Sequence, residues 1–423
     1  MKHSADRILT THVGSLPRPA DLHAMSVARR EGQKIDTAAF DARVRKAVSD
    51  IVRKQAELGV DIVDDGEMSK PSFITYINER LAGFEPDAAA RNQSPWAGSR
   101  EVQEFPEYYA PQLANVHTQH THYLCTGPVK YRGGQALKTD LDNLKAALKD
   151  VDVADAFLPS TSVSSIADWN RNTFYRSDEE YLFRLAEAIG EEYRAIVEAG
   201  FVLQVDDPHL VTYYVCHPEK SMEECRNWIA LRVDAINHAL RGIPKDRVRF
   251  HTCYGINFGP RVHDIEVKHI VDILGRLNVG AFSFEAANPR HEHEWTSWRD
   301  AKLPDDVIMI PGMITQSNVM VEHPESVAQR LERWVDAFGV ERVIAGTDCG
   351  FASFAGNDEI HETIVWAKFD ALVKGTQIAS GAARSKPDRP TRLSQPRKSS
   401  QENVQENVRE IIQGNQSNVS YKQ

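Results

Sequence analysis

Short apolar or β-branched runs alternate with longer amphipathic stretches along most of this 423-residue chain, and that rhythm restricts the fold more than any single motif. After an opening segment ILTTHVGS (8–15), the runs are VDIVDDGE (60–67), HYLCTGPV (122–129), DAFLPSTS (155–162), FVLQVDD (201–207), VRFHTCYG (248–255), AFSFEAA (281–287), VIMIPGMI (307–314) and RVIAGTDC (342–349). Between most of them lie helical patterns such as FDARVRKAVSDIVRKQAELG and PESVAQRLERWVDAFG, each closing on a glycine suited to a helix C-cap. With the opening segment left out, eight strands remain, most of them separated by helices. That is the pattern of an α/β (β/α)8 TIM barrel.

A doubly wound open sheet also alternates, so the polar residues decide. Glu67, Asp206, His251, Cys253, Glu285 and Cys349 each stand at or just past the C-terminal end of a predicted strand, on five different strands. In a barrel those ends converge on one mouth, whereas in an open sheet strands so far apart do not meet. Residues 68–121 break the alternation. They are read as an insertion after the first barrel strand, expected over the mouth as a lid or as a contact between copies of a homo-oligomer. One catalytic domain is therefore expected over residues 1–380. Residues 381–423 are rich in Ser, Gln, Asn, Lys and Arg, the composition of a disordered tail.

Composition narrows the function. A 41% hydrophobic and 26% charged chain is ordinary for a soluble globular protein, and no run approaches the roughly 18 apolar residues of a spanning helix. The first residues lack the apolar core of a secretion signal, so a cytoplasmic protein off the membrane is expected. A formal charge of -10 disfavours nucleic acid and leaves small molecules as partners. The five cysteines, Cys125, Cys216, Cys225, Cys253 and Cys349, are odd in number and widely spaced, which turns attention from disulfides to thiol or metal chemistry.

His251 and Cys253 share one strand face, which by itself suits core packing as well as ligation. Glu285 and Cys349 at other strand ends add donors, so that the four could converge on one tetrahedral Zn2+. Ligands drawn from separate strands presuppose a formed barrel, which fits a catalytic metal better than a structural one. The stretch NPRHEHEW lacks the histidine spacing of a zincin helix. Arg290 or His293 within it could reach substrate or support Glu285. Asp207 is open between a substrate carboxylate and a partner for a cation, and His12 and Arg18 between an anion site and ordinary loop residues.

The motifs THVGSLPRP (11–19), DGE (65–67), TGPV (126–129), QVDDP (204–208), HTCYG (251–255), FSFEAANPR (282–290) and GTDCGF (346–351) resemble those of the cobalamin-independent methionine synthases. The closer likeness is to their short single-barrel relatives, a group related in fold to uroporphyrinogen decarboxylase. It spans roughly residues 8–380, with seven motifs in the expected order. The resemblance implies that His251, Cys253, Glu285 and Cys349 hold zinc and that Glu67 and Asp206 bind the amino group of homocysteine as the working carboxylates. It implies that Ser15 contacts the same amino acid. Arg18 is added as a substrate-binding candidate on its position beside Ser15. The expected activity is methyl transfer from a folate or another donor to a zinc-activated thiol.

Three departures accompany the likeness. The chain supplies one barrel, the D-I-H-S motif has no clear counterpart after Pro311-Gly312, and the Trp-Ser-Phe segment is unmatched. Trp169, Phe174 and Tyr175 are the nearest aromatic candidates for that segment. Alternatives are alkyl transfer to another thiol, as in epoxyalkane:coenzyme M transferases with Arg18 and Arg290 holding a sulfonate, or a decarboxylase-like or binding barrel without zinc chemistry.

Overall fold

The computed structural model describes residues 1–30, 32–87, 96–114, 122–255, 258–354 and 360–385. In chain order the strands are β1 (Leu9–Thr10), β2 (Ile62–Val63), β3 (Leu81–Pro86), β4 (Tyr123–Tyr131), β5 (Asp155–Thr161), β6 (Asn170–Asn172), β7 (Val202–Asp206), β8 (Val248–Thr252), β9 (Ala281–Phe284), β10 (Ile308–Ile314) and β11 (Ile344–Thr347). Eight of them form a parallel sheet ordered β1-β11-β10-β9-β8-β7-β5-β2. The Asp61 N–H donates to the Thr10 carbonyl at 3.2 Å across the seam between β1 and β2. The sheet thus curls into a nearly closed (β/α)8 barrel.

The helices that jacket the barrel follow from local chemistry. Thr37–Leu58 starts where the Asp36 side chain accepts from the Ala39 N–H and stops at Gly59, whose φ of 91° is left-handed backbone that glycine adopts freely. Its buried stripe Phe40, Val44, Val48, Ile51, Val52 and Gln55 repeats at helical spacing and faces the sheet. Inside the barrel, Leu9, Ile62, Phe157, Val202, Ala281, Ile310 and Ile344 pack together. The strand absent from that layer, β8, contributes Arg249. This buried guanidinium lies 3.4 Å from the Phe157 ring centroid and donates to Gln204 Oε1 at 2.6 Å and Thr11 Oγ1 at 2.9 Å.

Two strand assignments from the sequence are corrected. The opening segment, left out of the eight, supplies the barrel strand β1, and HYLCTGPV supplies β4, which is not a barrel strand. Instead β4 runs antiparallel to β3 and parallel to β6 in a separate three-stranded sheet. Burial explains the difference. β7 and β8 are buried at every residue, as strands covered on both faces must be, while exposed positions recur along β4. The insertion accordingly follows the second barrel strand and runs on through β4.

The C-terminal helix Glu362–Ser385 continues past the expected boundary at 380, and the remainder of the expected tail lies outside the described residues. Among the described residues no helix is long and apolar enough to cross a membrane.

Candidate functional site

The strand ends deliver the expected side chains to one place. His251 is the fourth residue of β8, Cys253 follows that strand, and Cys349 follows β11. One ligand atom from each lies within 4.8 Å of the others, all three residues are buried, and the two Sγ atoms are 3.1 Å apart. Neither cysteine is in a disulfide. Neither ring nitrogen of His251 has a well-formed hydrogen bond, although both are buried. Burial, aided by the charge of Arg249, pushes the His251 pKa down to about 3, so the ring is neutral at neutral pH. A neutral imidazole with no partner and two adjoining thiols fit a zinc ion, whose bonds are roughly 2.3 Å to sulfur and 2.0 Å to nitrogen.

Glu285, the fourth expected ligand, sits just past β9 but outside that triad. Its carboxylate accepts from the Tyr254 N–H at 2.7 Å and from Asn288 Nδ2, and it pairs with Arg261 Nη1 at 3.0 Å. Arg261 also donates from Nε to Asp264 at 2.8 Å. Asp264 and Glu294 in turn grip His291, at 3.1 and 2.8 Å, and the ring stacks on Tyr254. Burial alone would lower the His291 pKa, but those two carboxylates raise it to about 9. Asp348 links the loops, accepting the N–H groups of Ala286, Ala287 and Asn288 at 2.7, 2.8 and 2.9 Å. A Cβ at Gly312 would stand 2.0 Å from Asp348 Oδ1, so only glycine leaves room for that brace.

The triad opens on a cavity of about 1110 Å³ whose wall also carries Ser15, Glu67 and Asp206. Glu67 has a φ of 56°, a conformation few non-glycine residues adopt, in a tight turn where Asp64 and Asp65 accept the N–H groups of Gly66 and Glu67. Its Oε1 is 3.6 Å from Lys70 Nζ and its Oε2 is buried without a partner. Asp206, opposite His251 in the β7–β8 register, accepts from Gln204 Nε2 at 2.7 Å. Burial, followed by the charge of Glu67, raises the Asp206 pKa well above the carboxylate range. Two buried carboxylates with spare acceptor capacity make this end of the cavity suited to a cation such as an ammonium group.

Other candidates fall elsewhere. Arg18 is not among the residues lining the cavity. Its guanidinium donates to the carbonyls of Ala352, Glu67 and Lys70 at 2.8, 3.0 and 2.9 Å, and so braces the turn that carries Glu67. Arg290 points to the Val262 carbonyl and His12 to Gln55. Asp207 is pinned by Ser162, Ser165 and the Leu210 N–H. Of the three aromatic candidates, Trp169 lines the cavity, stacked on His122, while Phe174 and Tyr175 do not. The sequence reading missed Lys70, Arg261 and Asp348. For Asp348 a signal existed, since it precedes Cys349 at a strand end.

The family model described as "Cobalamin-independent synthase, Catalytic domain" matches residues 8–104. A curated methionine synthase from Sulfurisphaera tokodaii is 27% identical over 381 residues, covering 89% of this chain and 94% of the relative. The chain is similar to the cobalamin-independent methionine synthases over most of its length. A second relative, the methionine synthase of Thermococcus kodakarensis, is 24% identical over 374 residues, with 87% and 92% covered. Among solved structures, a B12-independent methionine synthase from a Shewanella species, in complex with selenomethionine, superposes with a TM-score of 0.65 at 16% identity, covering 90% of this chain and 100% of that one. A putative vitamin-B12 independent methionine synthase from Listeria monocytogenes gives 0.61 at 18% identity, with 88% and 98% covered. Both share the fold of this chain.

Proposed function

We propose that the protein is an S-methyltransferase that methylates a small amino-acid thiol, homocysteine in the first instance, at a zinc ion held by His251, Cys253 and Cys349. The observation that carries this reading is the convergence of His251, Cys253 and Cys349 at one point that opens on the same cavity as the Glu67–Asp206 pair. The curated relatives are named methionine synthases, which supports methyl transfer to homocysteine. When bound, the ion would favour the deprotonated, nucleophilic form of a substrate thiol, which at a pKa of about 8.5 is otherwise mostly protonated at neutral pH.

The chain's own groups do the rest. Glu67 and Asp206 accept hydrogen bonds from the substrate ammonium group and orient the amino acid with its sulfur toward the triad. Ser15 lines the same cavity and packs on Gly350, where a Cβ would come within 2.0 Å of its Oγ. Arg261 and Asn288 hold Glu285 close by, from where it would serve as the fourth ligand and yield to substrate. In the transfer a sulfur–carbon bond forms and the bond from the methyl carbon to the donor breaks, its electron pair leaving with the donor.

The coenzyme M alternative drew on Arg18 and Arg290, and neither lines the cavity. Calorimetry on zinc-loaded protein tests the proposal. Homocysteine is expected to bind with release of a proton, and Asp206→Asn to weaken that binding. A wild-type protein that ignores homocysteine overturns it.

A further inference from the structure

The wall of the cavity formed by the helices His209–Cys216 and Met222–Ala239 carries a chemistry unlike the thiol end. Trp228 and Arg232 are four residues apart on one helix, so they share a face. The Arg232 guanidinium carbon lies 3.3 Å from the Trp228 ring centroid. Tyr213 stacks on Trp228 at 3.7 Å and 14°, and His217 continues the ladder at 4.1 Å from Tyr213. All four line the cavity. With Tyr213 and Arg232 both against Trp228, the ladder fixes the plane of the guanidinium.

That guanidinium is short of acceptors. Arg232 is 8% exposed, its Nε is buried with no partner, and Nη1 reaches the Trp228 carbonyl only at 3.4 Å. Asp168, Asp207 and Asp178 lend it negative field, but none is in ion-pair contact with it among the described residues. Arg171, on the same wall, shows the contrast, since it donates to Asp87 at 2.7 Å. A buried, oriented fork with unused donors is costly unless a ligand completes it, and the group that matches its geometry is a carboxylate.

We propose that Arg232 is the anchor for a carboxylate on the second substrate, the methyl donor. The cavity is then divided by charge, with Glu67 and Asp206 selecting the cationic head of the thiol substrate and Arg232 selecting an anionic group of the donor. The assignment of that anion to the donor rests on the proposed methyl transfer, but the carboxylate subsite itself does not.

The test uses zinc-loaded full-length protein and the probe N-(4-aminobenzoyl)-L-glutamate, with its neutral diamide as control, titrated calorimetrically. Wild type is expected to bind the dicarboxylate at least tenfold more tightly than the diamide. Arg232→Gln and Arg232→Met should both abolish that preference while homocysteine affinity stays within twofold. Equal binding of acid and diamide to wild type, which needs no variant to fold, overturns the subsite, as does an undiminished preference in either folded variant. Failure of homocysteine to bind while the acid preference persists would instead overturn the proposed function and leave the subsite standing.

Discussion

Two buried histidines at the barrel mouth are treated in opposite ways. His291 has both ring nitrogens engaged, by Asp264 and Glu294, and sits in a chain of partners that runs through Arg261 to Glu285. His251 has neither ring nitrogen engaged and faces two thiols instead. Burying a polar atom without a partner costs on the order of 1–3 kcal/mol, so a fold retains such atoms where a ligand completes them. The saturated cluster reads as the frame that holds Glu285 in place, and the unsaturated one as the working site. Mutations should therefore separate them, the first losing stability and the second losing function in a folded protein.

The largest effect is expected at the unsaturated cluster. Cys349→Ala or His251→Ala should remove bound zinc and lower methyl transfer by on the order of 10³-fold or more, with the unfolding temperature of the metal-free protein little changed. Metal analysis beside thermal unfolding checks both halves. In the saturated cluster, Arg261→Met leaves the carboxylate of Glu285 buried without its cation and takes from Asp264 one of two cationic partners, the other being His291. It should destabilise the fold by roughly 3–5 kcal/mol in denaturant titration. A loss of activity with unchanged stability would contradict its role as scaffold.

The same cluster predicts a pH dependence. His291 has a folded pKa raised to about 9 against an ordinary 6.5, so its contribution is fully present below pH 6.5 and is lost as pH rises through about 9. The loss should amount to about 3 kcal/mol for wild type and be flattened in His291→Gln. The smallest effect belongs to the substrate carboxylates. Asp206→Asn should raise KM for homocysteine by about 100-fold with a lesser change in kcat, as removal of one charged hydrogen-bond partner implies.

How much of this was legible in the sequence follows from what each feature depends on. The barrel was legible because its helices carry their own apolar stripes and caps. The membership of its strands was not, because β1 is only two residues long and β4 is as apolar as a barrel strand while half exposed. His251, Cys253 and Cys349 were legible as donors at strand ends, since parallel strands must converge there. That Glu285 turns to Arg261 was not, because Arg261 lies in a loop whose path no periodicity encodes. Arg18 looked free for an anion, and only the positions of three carbonyls show that it braces the Glu67 turn. Arg232 read as one more charge on an amphipathic helix until its ladder of rings placed it on the cavity wall.

The central claim is that the His251–Cys253–Cys349 triad holds the metal on which thiol activation depends. The most direct measurement is zinc content and homocysteine methylation in the same preparations of wild type and Cys349→Ser. The account predicts one zinc per wild-type chain, and loss of zinc and methylation together in a variant that remains folded. Methylation at the wild-type rate by protein shown to contain no metal would contradict it.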